Sequence, residues 1–437
     1  MRVLDEVWRS HWGRLLGQLI SRFGRPDLVE DALADAFAEA AATWPAAGVP
    51  DNPAGWVRTV AHRRVVDALR REQTAHRKAH LLVEDGAASA AGGPEPSVAL
   101  ADADERIPLL FMATHPALSA EVRPALALRF VLGVPTAVIA RLFLVPQATM
   151  AARLTRAKAR LATSGIPFVV PGLQAWPERL DDVARAIYLA FTAGYAPGDE
   201  VVRIQEAGEA VRLAELAAEL MPGRPVLEAL AALLRLQHAR RDARVGTDGG
   251  PVRLTDQDRS RWRRAEIEAG LARLTALTPT SGLAEELRLQ ALIAAFHATA
   301  STYADTDWAA IAPTYRRLEE LTGSPIVRLN RAVAVGEAEG PMAGLALLRA
   351  AQDRLPGHHR VALARAELLR RDGQLAAAAT AYDEAIATCP EGAERQHITQ
   401  RRNSLAPPQG TSSTTGTRPW PTAVLATELR RGSGGLS

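Results

Sequence analysis

Cysteine is nearly absent: Cys389 is the single one in 437 residues. An internal disulfide framework is therefore impossible, and so is a zinc site built from cysteine pairs. Such a chain suits a reducing compartment, and a cytoplasmic location is expected. Aromatic residues are scarce, 5% against 47% hydrophobic overall, which favours closely packed helices with small contact residues over a β-sandwich. No run approaches the roughly 18 uncharged apolar residues of a membrane helix, so no membrane partner is expected. Asp5, Glu6 and Arg9 interrupt the first turns, and no secretory leader is expected there. An excess of one charge sign is lacking too. The net charge is only +3, so a nucleic-acid surface must come from local clustering.

A chain of this length implies two or three domains. Val7, Leu15, Leu16, Leu19 and Ile20 recur at helical spacing. Gly24 and Pro26 punctuate that helix, and Asp27 reads as the N-cap of the next, with Glu30 completing a capping box. The second helix has Leu28, Ala32, Leu33, Ala36 and Phe37 on one face and Glu30, Asp31 and Asp35 on the other. Residues 44–53 contain three prolines and a glycine and read as a loop. Asn52 and Pro53 open a basic helix over about 54–72, with Arg58, Arg63, Arg64, Arg70 and Arg71. Residues 76–103 read as a flexible linker, 104–163 as helical, and 166–177 as a Pro-rich hinge. Amphipathic helix pairs follow to about 405, interrupted by a loop or short hairpin over 242–258 built on Gly249 and Gly250. The tail from 406 to 437 has a disordered composition.

The sharpest local signal is 135–161, PTAVIARLFLVPQATMAARLTRAKARL. Val138, Ile139, Leu142 and Phe143 face inward on a short helix, Leu144–Pro146 turn, and Met150, Leu154 and Leu161 line a second helix. That is the pattern of a DNA-binding helix-turn-helix, whose second helix enters the major groove. Arg141, Arg153, Arg156, Lys158 and Arg160 follow one another with no acidic residue between, a patch able to neutralise phosphates. A helical hairpin with a solvated basic face is the plainer alternative. The second basic helix, upstream across a floppy linker, favours a protein that grips two separated DNA sites.

Two stretches carry a family resemblance. DLVEDALADAFAEAAATWPAAGVPDNPAGWVRTVAHRRVVDALRRE resembles region 2 of extracytoplasmic-function RNA polymerase sigma factors, and DERIPLLFMATHPALSAEVRPALALRFVLGVPTAVIARLFLVPQATMAARLTRAKARL resembles their region 4. HPALS (115–119), FLVPQATMAARL (143–154) and GIPF (165–168) resemble the subgroup with a long tetratricopeptide-like C-terminal extension. AIYLAFTAGY (186–195), DQDRSRW (256–262), TDWAAIAPTY (306–315), SPIVRLNRAVAVGEAEGP (324–341) and RAELLRRDGQLAAAATAYDEAI (365–386) match that extension.

The resemblance implies an all-α fold: region 2 over 5–75, region 4 over 104–165 and a helical repeat-like extension over 178–405. It implies two partners, core RNA polymerase and promoter DNA. Glu30, Asp31 and Asp35 would dock on the clamp helices of the largest polymerase subunit. The loop 44–53 and the helix after it would hold a flipped base of the minus-ten element, with Arg58, His62, Arg63 and Arg64 on phosphates or base edges. Trp56 would pack below that pocket or fill the core. In region 4, Ala151, Ala152, Thr155 and Arg156 would face the groove at the minus-thirty-five element, with Thr149, Arg153 and Lys158 nearer the backbone. An alanine at 152 departs from family members with a longer polar side chain, although alanine can meet a thymine methyl. Ala193 likewise stands where relatives carry an acid.

Residues 359–388 read as one tetratricopeptide unit, and helices near 284–300, 308–322 and 326–337 would stack with it. The extension is expected to bind a protein or peptide and to regulate the sigma domains. No catalytic, cofactor or metal constellation stands out. His297, Asp305 and Asp307 lack a second ligand pair, and DGGP (248–251) lacks the lysine of a phosphate loop. The expected function is therefore non-enzymatic: a sigma factor directing transcription initiation. The alternative is a helix-turn-helix regulator with a helical-repeat sensor acting without core polymerase.

Overall fold

The structure, a computed structural model, describes residues 2–80, 104, 106–143, 145–163, 173–195, 204–246, 252, 254–352, 355 and 357–405. The chain divides into two compact units, Met1–Ala193 and Gly194–Ser437. Among the described residues the regular elements are helices, and the fold is all-α.

The first unit opens with α1 (Arg2–Phe23), α2 (Pro26–Ala47) and α3 (Pro53–His80). Val7, Leu15, Leu16, Leu19 and Ile20 are all buried, against Ala32, Leu33, Ala36 and Phe37 of α2 and Val57, Ala61 and Val65 of α3. Three boundaries differ from the expectation. α2 starts at Pro26, so Asp27 is not its N-cap; proline occupies the first turn, where its missing N–H costs nothing. Arg25 holds the N-cap position and pairs with Glu72 of α3 at 2.8 Å. α2 also runs past Pro45 to Ala47, because buried Trp44 anchors its last turn edge-on against Trp56 at 5.6 Å. α3 absorbs the start of the expected linker. Asn52 caps it as expected, its Oδ1 accepting from Gly55 N at 2.9 Å. The rest of the linker, 81–103, lies outside the described residues.

The same unit continues with α4 (Arg106–Ala113), α5 (Arg123–Leu126) running into a π turn at Ala127–Val131, α6 (Thr136–Leu142) and α7 (Gln147–Thr163). It then takes in most of α8 (Leu180–Tyr195). Every residue of α4 is buried. Residues 166–172 of the expected hinge lie outside the described residues, but its end is packed. Trp176 is 0% exposed and stacks on Phe111 at 4.1 Å. Arg179 donates to the Phe111 carbonyl at 2.7 Å, and Arg123 pairs with Asp182 at 2.8 Å. Compactness therefore carries past the expected start of the extension at 178.

The second unit contains α9 (Ile204–Leu220), α10 (Pro225–His238), α11 (Arg264–Thr275), α12 (Gly282–Thr299), α13 (Trp308–Thr322), α14 (Pro325–Ala338), α15 (Pro341–Gln352), α16 (His359–Arg371), α17 (Leu375–Thr388) and α18 (Ala393–Asn403). Three apolar clusters run along it and share helices. The first joins α12, α13 and α14, the second α14, α15 and α16, the third α16, α17 and α18. A core passed from neighbour to neighbour is the logic of a helical-repeat stack. Gly344 permits a close backbone crossing of α15 on α14: a Cβ there would lie 2.6 Å from the Ala332 carbonyl oxygen. The α16–α17 pair closes over buried Glu367, which accepts from Tyr382 Oη at 2.5 Å and from Arg401 at 2.5 Å. Of the expected hairpin, Gly249 and Gly250 lie outside the described residues; Val252 N donates to Arg244 O at 2.7 Å across that loop.

Candidate nucleic-acid interface

The chain bends by 106° between α6 and α7, within the roughly 90–120° of helix-turn-helix pairs. Val138, Ile139 and Leu142 are buried as expected, as are Met150 and Leu154 on α7, while Phe143 is half-buried. The burial of Leu161 and the placement of Leu144 lie outside the described residues. Thr149, Ala151, Ala152, Thr155 and Arg156 are all exposed on α7, and Arg153 is half-buried. Thr155 Oγ1 donates to Ala151 O at 3.0 Å and Arg156 Nε to Ala152 O at 3.2 Å. These contacts lay both side chains along the helix and leave the rest of the guanidinium for a ligand.

Lys158 is placed differently from its neighbours. Its Nζ donates to Glu30 Oε2 at 2.6 Å and to Asp31 Oδ1 at 3.2 Å, both on α2, and lies 5.9 Å from the Phe130 ring centroid. Burial opposes the charge, but the bond to Glu30 and the two carboxylates outweigh it, so the ammonium's pKa is raised. The sigma-factor resemblance implies a place for this lysine near the DNA backbone and for Glu30 and Asp31 on a polymerase face. The structure brings the three together.

The contact continues through residues that the sequence did not single out. Trp12, 2% exposed, donates from Nε1 to Phe130 O at 3.2 Å. A Cβ on Gly13 would come within 2.2 Å of the Val131 carbonyl oxygen. Helix α1 therefore lies directly on the π turn, and only glycine fits at the crossing.

On α3, Arg58 and Arg63 are exposed. His62 is half-buried and leans on the Phe23 ring at 5.1 Å. Arg64 pairs with Asp35 at 3.1 Å and with Glu39 at 2.7 Å, and chiefly the bond to Glu39 raises its pKa. Trp56 is half-buried against Trp44. On α2, Asp31 and Asp35 keep 75% and 64% of their side chains exposed. Ala34 and Ala38 are exposed on that stretch, and with Leu4, Trp8 and Phe37 they line an open cleft of about 320 Å³. The surface around the two aspartates thus mixes acid with apolar contact area.

His297 is a buried core residue and Asp307 caps α13, accepting from Ala310 N at 2.9 Å. Among the described residues, one group has metal-ligand chemistry. Single donor atoms of His359, Cys389 and Glu394 lie within 4.8 Å of one another. Arg360 already pairs with Glu394 at 3.2 Å, and a cation would have to displace it.

Residues 109–161 match the family described as sigma-70, region 4, a stretch that holds α6 and all but the last two residues of α7. Residues 179–278 match a family of unknown function, DUF6596. An uncharacterised protein of Rhizobium meliloti (strain 1021) is 39% identical over 397 residues, covering 90% of this chain and 93% of that protein. The chain belongs to the family of that protein. It is sigma-factor-like: a DNA-binding transcription protein with a sigma-70 region 4 and a helical extension. Among solved structures, the crystal structure of the P58(IPK) TPR domain is matched at 13% identity and a TM-score of 0.25, covering 89% of this chain and 96% of that one. A region 4 implies interaction with RNA polymerase and promoter DNA, and it points to a non-enzymatic factor. Among the described residues, no single helix of this sigma-factor-like chain is long and apolar enough to cross a membrane.

Proposed function

We propose that this protein is a sigma factor of the extracytoplasmic-function type, which binds core RNA polymerase, directs it to promoters and is regulated by its own helical extension. One observation carries the reading. A recognition helix with an exposed polar face, inside a sigma-70 region 4, is tied by Lys158 to the acidic face of an N-terminal three-helix domain.

In this reading Thr149, Ala151, Ala152, Arg153, Thr155 and Arg156 meet the minus-thirty-five element. Arg58, His62, Arg63 and Arg64 serve the minus-ten element. Glu30, Asp31 and Asp35 dock on the polymerase clamp helices. Two elements 25 base pairs apart at about 3.4 Å per pair are separated by roughly 85 Å. Domains in direct contact through Trp12 and Lys158 cannot reach both. The packed pair is therefore an idle state, and α2 and α7 part when polymerase and DNA claim their faces.

Packing of Trp176, Arg179 and Asp182 onto α4 and α5 supports regulation from the extension, because α8 starts on the DNA-binding domain itself. Run-off transcription with core polymerase and a promoter library tests the proposal. A discrete, promoter-dependent transcript that requires this protein is expected. DNA binding that never recruits core polymerase would instead identify a regulator acting alone.

A further inference from the structure

The end of α10 gathers arginines that, among the described residues, pair with no carboxylate. Arg240 lies over the Trp262 ring at 5.7 Å, Arg259 over the same ring at 4.6 Å, and Arg244 over Tyr195 at 4.0 Å. Among the described residues none of the three forms an ion pair with an acid. Of the acids nearby, Glu266 is committed to Arg241 at 2.6 Å and Asp242 to Arg263 at 2.8 Å, while Asp305, whose charge acts on Arg259 from beyond ion-pair distance, accepts from Thr302 at 2.8 Å. Burial pushes the Arg240 pKa well below its ordinary value, followed by the charge of Arg244; burial also lowers Arg244 and Arg259. Several buried polar atoms here have no hydrogen-bond partner: Arg244 Nε, Trp262 Nε1 and both ring nitrogens of His297.

Part of this charge has a local explanation. Arg259 donates to the carbonyls of His297 and Ala300, both at 2.7 Å, and Arg244 to the carbonyl of Gln237 at 3.1 Å. A helix C-terminus supplies about half a negative charge. That offsets a fraction of one guanidinium and, among the described residues, leaves the Arg240–Arg244 pair largely uncompensated. Desolvated charges without a counter-charge are strongly unfavourable, so the site is incomplete as an isolated protein cluster. Both residues keep part of their surface in solvent, which leaves a way in.

We propose that the extension binds the phosphate group of a small phosphorylated metabolite between Arg240 and Arg244, beside Trp262 and Arg259. Phosphate is favoured over carboxylate by charge count: about −1.5 to −2 at neutral pH matches two guanidiniums, where a carboxylate matches one. Aromatic faces behind the arginines hold their planes for bidentate contacts with oxyanions. Such a ligand would give the extension a chemical input. The binding itself stands independently of the sigma-factor reading.

The test uses the full-length protein without polymerase or DNA, so its outcome is separate from that of the transcription assay. Inorganic phosphate and glycerol phosphate are titrated calorimetrically and by thermal unfolding, against potassium chloride at equal ionic strength. A saturable rise in Tm and binding to one site are expected. Arg240→Gln and Arg244→Gln should each weaken binding at least ten-fold, while a change at exposed Arg212 of α9, Arg212→Gln, should not. Unliganded Arg240→Gln should be no less stable than wild type, since an uncompensated charge has gone. No saturable response in the wild-type protein overturns the proposal without any variant. So does undiminished phosphate binding in both glutamine variants.

Discussion

Lys158 of α7 donates to both Glu30 and Asp31 of α2, at 2.6 and 3.2 Å. One lysine with an expected place on DNA thus covers two acids with an expected place on polymerase. Its side chain is 37% exposed, and ion pairs so exposed contribute about 0–1 kcal/mol and weaken with salt. Burial of Trp12, of order 3 kcal/mol for a side chain that large, is the stronger hold. The ion pair therefore sets orientation, and the apolar crossing of α1 on the π turn supplies adhesion. Because the Lys158 pKa is raised, its charge persists through neutral pH and is lost only as pH rises through that raised value. Neutral pH changes do not open this contact through Lys158.

Gly13→Ala should open the packed pair. The added methyl would lie 2.2 Å from the Val131 carbonyl oxygen, while within α1 alanine favours the helix by about 1 kcal/mol. A helix-favouring substitution should thus leave the three N-terminal helices folded and separate the domains. Small-angle scattering should report a larger radius of gyration with unchanged helical circular dichroism. An unchanged radius would mean that α1 shifts to absorb the methyl.

Arg156→Ala should lose discrimination at one promoter position by about 1–3 kcal/mol if the guanidinium reads a base. Lys158→Ala should weaken all DNA sequences alike and lower the salt slope by about one. The same change frees Glu30 and Asp31, so polymerase affinity should rise, by no more than about five-fold for a contact of at most 1 kcal/mol. Opposite signs in the two assays distinguish this arrangement from a simple phosphate contact. Equal sequence-independent losses for both variants would make Arg156 a backbone residue.

Truncation after Thr163 should destabilise region 4. It removes Trp176 from Phe111, Arg179 from the Phe111 carbonyl and Asp182 from Arg123. A fragment that ends after Tyr195 retains all three contacts. Its helical melt should be cooperative and higher by several degrees, and the two fragments should be compared by circular dichroism. Coincident melts would show that α8 contributes nothing to the fold of α4 and α5.

How far the sequence was readable follows from distance along the chain. The bent pair α6–α7, the buried Met150 and Leu154, and the α16–α17 unit are local, set by spacing and turn chemistry within a few dozen residues. Helix ends were less legible: Asp27 read as a cap, but Pro26 had already begun α2, and Pro45 was tolerated in a last turn anchored by Trp44. The exposed faces of α7 and α2 were legible as faces. That they meet was not, because Lys158 and Glu30 lie 128 residues apart and either alone reads as a solvated charge. Trp12 and Trp176 carried the only hint: large side chains beside a glycine or a linker need a surface to cover. The arginines at the end of α10 were invisible in a chain where arginine is common and its partners are set by tertiary packing.

Acid should destabilise the second unit through two buried histidines. Burial, then Arg241, lowers His238 to about 4; burial, then Arg240 and Arg259, lowers His297 to about 3. Above the ordinary value of about 6.5 both states are neutral and this contribution is complete. As pH falls, the unfolded chain takes up protons that the folded chain refuses, so stability drops towards the folded pKa values. Each histidine costs up to about 1.4 kcal/mol per pH unit in that window. Unfolding curves between pH 7 and pH 4.5 should flatten by about one proton in His297→Asn. A slope equal to wild type would place the proton uptake elsewhere.

The affinity of full-length protein for core RNA polymerase, measured with and without charge reversal at Asp31 and Asp35, tests the central claim most directly. Both carboxylates are largely exposed, so Asp31→Lys with Asp35→Lys should leave the fold intact. The account requires tight wild-type binding and a loss of at least ten-fold in the double variant, with its circular dichroism unchanged. Wild-type protein that fails to bind core polymerase, or a reversed protein that binds as tightly as wild type, would contradict it.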